Sequence, residues 1–171
     1  ENKELIPKTI KHIFIISDRR ERIETLRKIA KAVNSDKTMI FINTKYDLEE
    51  SLQKLQYHNY NVAALAGNID KQSKKKAVED FQNGRLQYLL ATDVAARGLQ
   101  IDHVSTVINV NLPEEPTEYL HRAGRCGRNN EQGLCISIIT ENELNKIKKY
   151  QKAFNINIVQ KRLYNGKIVS K

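Results

Sequence analysis

Short apolar runs alternate with amphipathic stretches along most of this chain. The runs Ile10–Ser17, Thr38–Asn43, Asn61–Leu65, Leu86–Ala91, Val104–Val110 and Leu134–Ile139 are largely apolar, and Thr38–Asn43 is a continuous apolar run ended by polar residues. Runs of that length, apolar on successive positions, suit strands buried on both faces. Between them, apolar residues recur every three or four positions. Ile23, Leu26, Ala30 and Val33 mark a helix opened by Asp18, and Leu48, Leu52 and Leu55 mark one over Tyr46–Gln56. Further helices are predicted over Lys71–Gln82, from Pro116 at a first turn, and from Glu141 or Asn142 to Phe154. The tail Ile156–Val169 carries a weak strand signal and an Asn165-Gly166 turn. Strand and helix alternating with short loops predict an α/β fold, a single parallel sheet with helices on both faces.

Length and composition narrow the class. The 171 residues suit one domain with a sizeable core. No apolar run approaches the ~20 residues of a membrane span, and the first residues, ENKELIPK, lack an apolar signal core. No membrane partner is expected. The net charge of +9 favours a polyanionic partner. Cys126 and Cys135 lack zinc-site spacing and point to a reduced, intracellular protein without a disulfide. Tyr57, Tyr60 and Tyr119 read as packing residues, and His12, His58 and His103 have no evident partners.

Chemistry concentrates in His121–Arg128, HRAGRCGR, where Arg122, Arg125 and Arg128 recur at a spacing of three. Gly124 and Gly127 argue that a helix stops there, which leaves Arg125 and Arg128 on a turn at the surface. Paired guanidiniums suit phosphate, because the planar fork binds it bidentately. In open α/β sheets ligands bind beyond the carboxyl ends of strands. Asn43-Thr44-Lys45, Ala66-Gly67-Asn68 and Thr92–Arg97 fall there. Within the last, Asp93 is expected to cap a short helix over Val94–Arg97, ended by Gly98, with the Thr92 hydroxyl free for a phosphate.

The pair ATDVAARG (Ala91–Gly98) and HRAGRCGR resembles motifs V and VI of the DEAD-box RNA helicases of superfamily 2, and the order of elements from Met39 to Ile139 resembles their second RecA-like domain. The resemblance implies a C-terminal RecA-like domain over residues 10–155, preceded by linker (1–9) and followed by a tail (156–171). It implies that Arg125 and Arg128 act as arginine fingers on ATP, and that Asn43, Thr44, Gly67, Lys71, Lys74 and Thr92 bind the RNA backbone. Arg97, His121 and Arg122 would face the N-terminal RecA-like domain. Two positions depart from the family pattern. Lys71 and Lys74 stand where many relatives carry Gln and Arg, and Gln100 stands where an Asp holds the nucleotide ribose; Gln100 can still hydrogen-bond a hydroxyl as a neutral group.

The chain contains no G-x-x-x-x-G-K-[ST] and no DEAD tetrapeptide. It can therefore supply only half of an ATP site, the P-loop and magnesium ligands coming from the other domain. The domain by itself is expected to be monomeric and inactive, the parent an RNA-stimulated ATPase that opens short duplexes. A non-enzymatic RNA-binding or regulatory module on the same fold, and a superfamily 2 DNA helicase, are the other readings.

Overall fold

The computed structural model describes residues 6–66 and 68–171. The first half of the expected linker, residues 1–5, and the expected RNA contact Gly67 lie outside the described residues. Eight strands form one sheet: β1 (Ile10–Ile16), β2 (Thr38–Phe41), β3 (Val62–Leu65), β4 (Tyr88–Ala91), β5 (Thr106–Asn109), β6 (Gly133–Ile139), β7 (Ile158–Tyr164) and β8 (Lys167–Ser170). Their order is β3-β4-β2-β5-β6-β1-β7-β8, parallel throughout except for the antiparallel pair β7–β8.

Six helices cover it: α1 (Arg22–Val33), α2 (Lys45–Tyr57), α3 (Lys71–Gln82), α4 (Asp93–Ala96), α5 (Pro116–Ala123) and α6 (Leu144–Phe154). The apolar stripes read from sequence divide them between the two faces. Leu26, Ile29 and Ala30 of α1 and Leu48 and Leu55 of α2 pack on one side with Ile13, Ile40 and Ile108. Phe81 of α3, Tyr119 of α5, and Ile147 and Tyr150 of α6 pack on the other with Phe14, Met39 and Val107. Alternate residues of one strand thus feed opposite cores, which is why these strands read as continuous apolar runs.

Several boundaries differ from expectation. The tail is not an appendage: β7 pairs in parallel with β1, from His12 beside Ile158 to Ile15 beside Lys161, and carries the sheet past residue 155. Asn165 (φ 54°) and Gly166 (φ 77°) both adopt left-handed backbone, the geometry of a tight hairpin turn. A 3₁₀ turn over Arg19–Glu21 precedes α1, and Asp18 makes no side-chain capping bond. Before α6, Thr140 caps a 3₁₀ turn over Glu141–Glu143, and the Glu143 carboxylate accepts from the Thr140 amide at 2.9 Å. Tyr57, read as a packing residue, is 82% exposed.

Candidate nucleotide and nucleic-acid site

The middle of HRAGRCGR is organised by a buried side chain. Arg122 lies on the inward face of α5 and is 1% exposed. Its Nε and Nη2 donate to the two carboxylate oxygens of Asp93 at 2.9 and 2.7 Å. Its Nη1 donates to the Asn109 side-chain oxygen (3.1 Å) and the Asn111 carbonyl (2.7 Å), and its Nη2 also to Asn43 Oδ1 (2.8 Å). All five guanidinium N–H groups are thereby used. The fork also stands over the Phe41 ring, 5.1 Å from its centre. A buried cation needs this complete a partner set, because each unpaired donor would carry its full desolvation penalty. Two expectations are corrected here. Arg122 cannot face a second domain, since its charge is spent inside this one. Asp93 does not cap α4; it holds Arg122, and the Thr92 hydroxyl takes the capping role by accepting from the Ala95 amide at 3.2 Å.

The network binds the ends of β2 and β5 to α4 and α5, and so positions what lies on either side. Asn43 donates its side-chain amide to the Leu112 carbonyl (3.2 Å), and its backbone N–H to Asn111 Oδ1 (2.8 Å). The Asn43 side chain is therefore engaged within the domain. Thr44 caps α2 through the Asp47 amide. Lys71 and Lys74 lie on the first turn of α3, which Asp70 caps through the Ser73 amide at 2.7 Å. Since β3, β4 and β2 are neighbours, Asn43, Thr44, Thr92 and the two lysines line one end of three adjacent strands.

Arg125 and Arg128 lie elsewhere. Helix α5 runs back along the sheet, and past its Gly124 cap the chain meets the start of β5, where the Val104 amide donates to the Arg125 carbonyl at 3.1 Å. The two arginines thus sit at the opposite end of the strands from Asn43 and Thr92. Gly127 makes the turn possible: its φ is +71°, and a Cβ there would stand 2.5 Å from Ile10 Cγ1. Arg125 is not the free surface group that the sequence led us to expect. It is half-buried, and donates through Nη1 to the carbonyls of Leu99 (3.0 Å) and Ile101 (3.3 Å) and through Nη2 to that of Ala96 (3.2 Å). Burial lowers its pKa, opposed by the charges of Asp102 and Asp93. Arg128 donates from Nε to the Gly124 carbonyl at 2.9 Å and is otherwise exposed. Both line an open cleft of about 700 Å³ with Gln100, Gly98, Leu99 and His121. Gln100 is exposed there and its amide is uncommitted among the described residues.

His121 and Arg97 project beside this cleft. Arg97 lies 3.4 Å from a Glu118 carboxylate oxygen and His121 Nδ1 lies 4.0 Å from the other; both basic side chains are about two-thirds exposed, at 64% and 66%. Sequence reasoning missed Asn109 and Asn111. The available signal was an asparagine inside the apolar run of β5, where a buried amide demands a polar partner. Among the described residues no group of three or more His, Cys, Asp or Glu could hold a metal ion. No helix among them is long and apolar enough to cross a membrane.

The chain belongs to the family described as the helicase conserved C-terminal domain, whose pattern it matches over residues 21–130. Within that family it is of the DEAD-box type. It is 34% identical over 160 residues to the DEAD-box ATP-dependent RNA helicase CshC of Bacillus cereus, a match that takes in 94% of this chain and 41% of that protein. The fold is that of the solved C-terminal domain of the DEAD-box protein Dbp5 (TM-score 0.85, 29% identity, 90% of this chain and 91% of that one). It also matches Saccharomyces cerevisiae Dbp5 solved with RNA and ADP BeF3 (TM-score 0.86, 28% identity, 95% of this chain and 44% of that one). This chain therefore spans about two-fifths of the length of such full proteins.

Proposed function

We propose that this chain is the C-terminal half of an ATP-dependent RNA helicase. It binds RNA backbone along the ends of β2, β3 and β4, and completes an ATP site whose phosphate-cradling loop and magnesium ligands lie on an N-terminal RecA-like domain. The observation that carries the reading is the convergence of Arg125, Arg128 and Gln100 on one open cleft, with His121 and Arg97 exposed at its border. ATP supplies the transferring phosphoryl group. Arg128 contributes the free fork, and Arg125 contributes a charge held in place by three carbonyls. Guanidiniums so placed stabilise charge on that group only when the second domain brings it near. Gln100 takes the ribose as a neutral hydrogen-bonding group. The RNA reading draws support from the relative solved with RNA and ADP BeF3. The kinetic test is RNA-stimulated ATP hydrolysis by the full-length parent carrying Arg128→Ala. An arginine finger contributes ~10³–10⁵ in rate, and lysine loses the fork, so Arg128→Lys should rescue poorly. Near-normal turnover with normal melting would remove Arg128 from the site.

A further inference from the structure

The net positive charge of this protein is concentrated away from the expected RNA contacts. Residues 144–171 contain eight of the chain's 29 Lys and Arg side chains and none of its 20 Asp and Glu side chains. Subtracting those eight charges from the net +9 leaves the rest of the chain near neutrality. The charged segment is α6 with the β7–β8 hairpin, at the edge of the sheet opposite β3.

The fold gathers these charges on one side. On α6, Lys146 reaches Glu114 (3.8 Å) and the Tyr150 hydroxyl donates to the Pro113 carbonyl, so that flank faces α5. The Gln151 side-chain oxygen accepts from the Ile158 amide at 2.8 Å, so the other flank faces β7. Lys148 and Lys152, spaced one turn apart, follow Gln151 around the helix onto that second flank, with Lys149 next outward; all three are exposed. Along β7, Ile158 points to the core beneath α6, so Arg162 and Tyr164, four and six residues on, point to the same side. Lys167 pairs across the hairpin with Tyr164 and shares its face. Arg162 lies over the Tyr164 ring, 5.2 Å from its centre, and that ring is 62% exposed. Among the described residues, only Lys146 of this segment has a carboxylate within salt-bridge distance.

We propose that α6 and the β7–β8 hairpin form a second RNA-binding surface, which grips the sugar-phosphate backbone through Lys148, Lys152, Arg162 and Lys167 and stacks a base on Tyr164. The polyanion is identified as RNA by the Proposed function, on which this inference rests; the surface itself rests on charge and placement. Unpaired lysines neutralise phosphate without reading sequence. An exposed tyrosine backed by a guanidinium is a stacking platform for an unpaired base. An anionic membrane is the poorer fit, because membrane-surface helices present an apolar face outward and that of α6 is buried against the sheet. The surface lies at the far edge from Lys71, Lys74 and Thr92, so it would hold a different stretch of strand and lengthen the footprint.

The test is fluorescence anisotropy of a labelled single-stranded RNA with this 171-residue chain across a salt series. Three proteins are compared: wild type, K148Q/K152Q/R162Q/K167Q, and K71Q/K74Q. The quadruple variant should bind at least about tenfold more weakly at low salt, and the slope of log K against log salt should fall by about 3, since each single-strand phosphate contact contributes ~0.7. Tyr164→Ala should weaken binding with an unchanged slope. Should the quadruple variant melt early, K148Q/K152Q and R162Q/K167Q separately should each show about half the change in slope. Loss of binding in K71Q/K74Q with wild-type binding in the quadruple variant overturns this proposal and leaves the Proposed function standing. Loss in the quadruple variant alone supports the surface and counts against the RNA contacts at α3. No RNA binding by the wild-type chain, or an effect seen only with vesicles of anionic phospholipid, overturns the surface outright.

Discussion

Arg122, Arg125 and Arg128 are spaced evenly in sequence and do unlike work, because burial differs at each. Arg122 is enclosed and fully partnered, Arg125 is half-buried against three carbonyls, and Arg128 is open. Removing one member of a buried ion pair typically costs about 3–5 kcal/mol, because the partner is left charged and unpaired. Arg122→Ala should therefore destabilise the domain by about that much in urea unfolding, and Arg122→Lys should recover little, since an ammonium cannot reach five acceptors in one plane. Arg128→Ala should stay within ~0.5 kcal/mol of wild type. Equal stability of the Arg122 and Arg128 variants would refute the structural role assigned to Arg122. A second residue gives a pH signature. His12 is 5% exposed, bonded through Nδ1 to the Tyr119 hydroxyl at 2.8 Å, and its Nε2 has no partner among the described residues. Burial lowers its pKa from 6.5 to about 4. Between those values the unfolded chain binds a proton that the folded protein does not, so stability falls as pH drops from 6.5 to about 4 and this contribution is constant outside that window. The full loss is about 3 kcal/mol at ~1.4 kcal/mol per unit. Glu24 acts lower: its hydrogen bond and charge pairing with Arg27, joined by Lys54, hold its pKa near 2, so its contribution is lost as pH falls from 4.5 to about 2. Chemical denaturation of His12→Asn across pH 4–7 should show a flatter profile than wild type; an unchanged slope would clear His12 of responsibility.

At the scale of elements, the order of strands and helices was legible because each buried strand is a compact apolar run and each helix keeps one apolar stripe. The seven-residue β7 gave only a weak signal, since it is only half-buried: Ile158 reaches one core and Leu163 the other, while Val159 and Tyr164 are exposed. Its alternation is therefore diluted by Lys161 and Arg162. The Asn165-Gly166 dipeptide was the clearer signal, because both positions need left-handed backbone. The strand matters to its neighbour. Without β7, the side of β1 that pairs from His12 to Ile15 would be an open edge in an apolar strand. Truncation after Asn155 should accordingly give protein that melts much earlier and aggregates, read by thermal melting and size-exclusion chromatography. Gly166→Ala probes the turn alone. Open space surrounds the added methyl, so the change should cost only the ~1–2 kcal/mol of left-handed backbone and leave the protein monodisperse. A truncated chain as stable as wild type would mean that β7 and β8 merely lean on a sheet complete without them.

At the scale of the whole molecule, the candidate site was legible in part. The arginine motif and ATDVAARG are local strings, so sequence alone marks them. The buried network is not local: Arg122 takes partners from Asn43, 79 residues away, and from Asp93, 29 away, and only the fold brings them together. Asp93 consequently read as a helix cap, the commoner use of an aspartate after a strand. The same fold separates two ends, with Asn43, Thr44 and Thr92 beyond the carboxyl ends of the strands and Arg125 and Arg128 near their starts. A ligand on the arginine cleft meets Arg125, Arg128, Gln100, His121 and the Asp102 carboxylate, but no glycine-rich loop to cradle a triphosphate, since the chain has no P-loop sequence. Nor do the described residues contain a group of three or more His, Cys, Asp or Glu that could hold a metal ion. Arg128 is exposed in an open cleft, where its charge is screened by salt and water, and half-buried Arg125 is already committed to three carbonyls, so the chain alone should bind ATP only at about millimolar strength, roughly −4 kcal/mol. Hydrolysis needs the phosphoryl group, the metal and the attacking water fixed together, and the chain can fix none of them alone. Calorimetry should therefore detect weak or no ATP binding by the 171-residue chain, and a phosphate-release assay should read no turnover above a mock preparation, with or without RNA. Turnover that follows the protein through purification and disappears with Arg128→Ala would place a complete ATP site on this domain and end the two-domain reading.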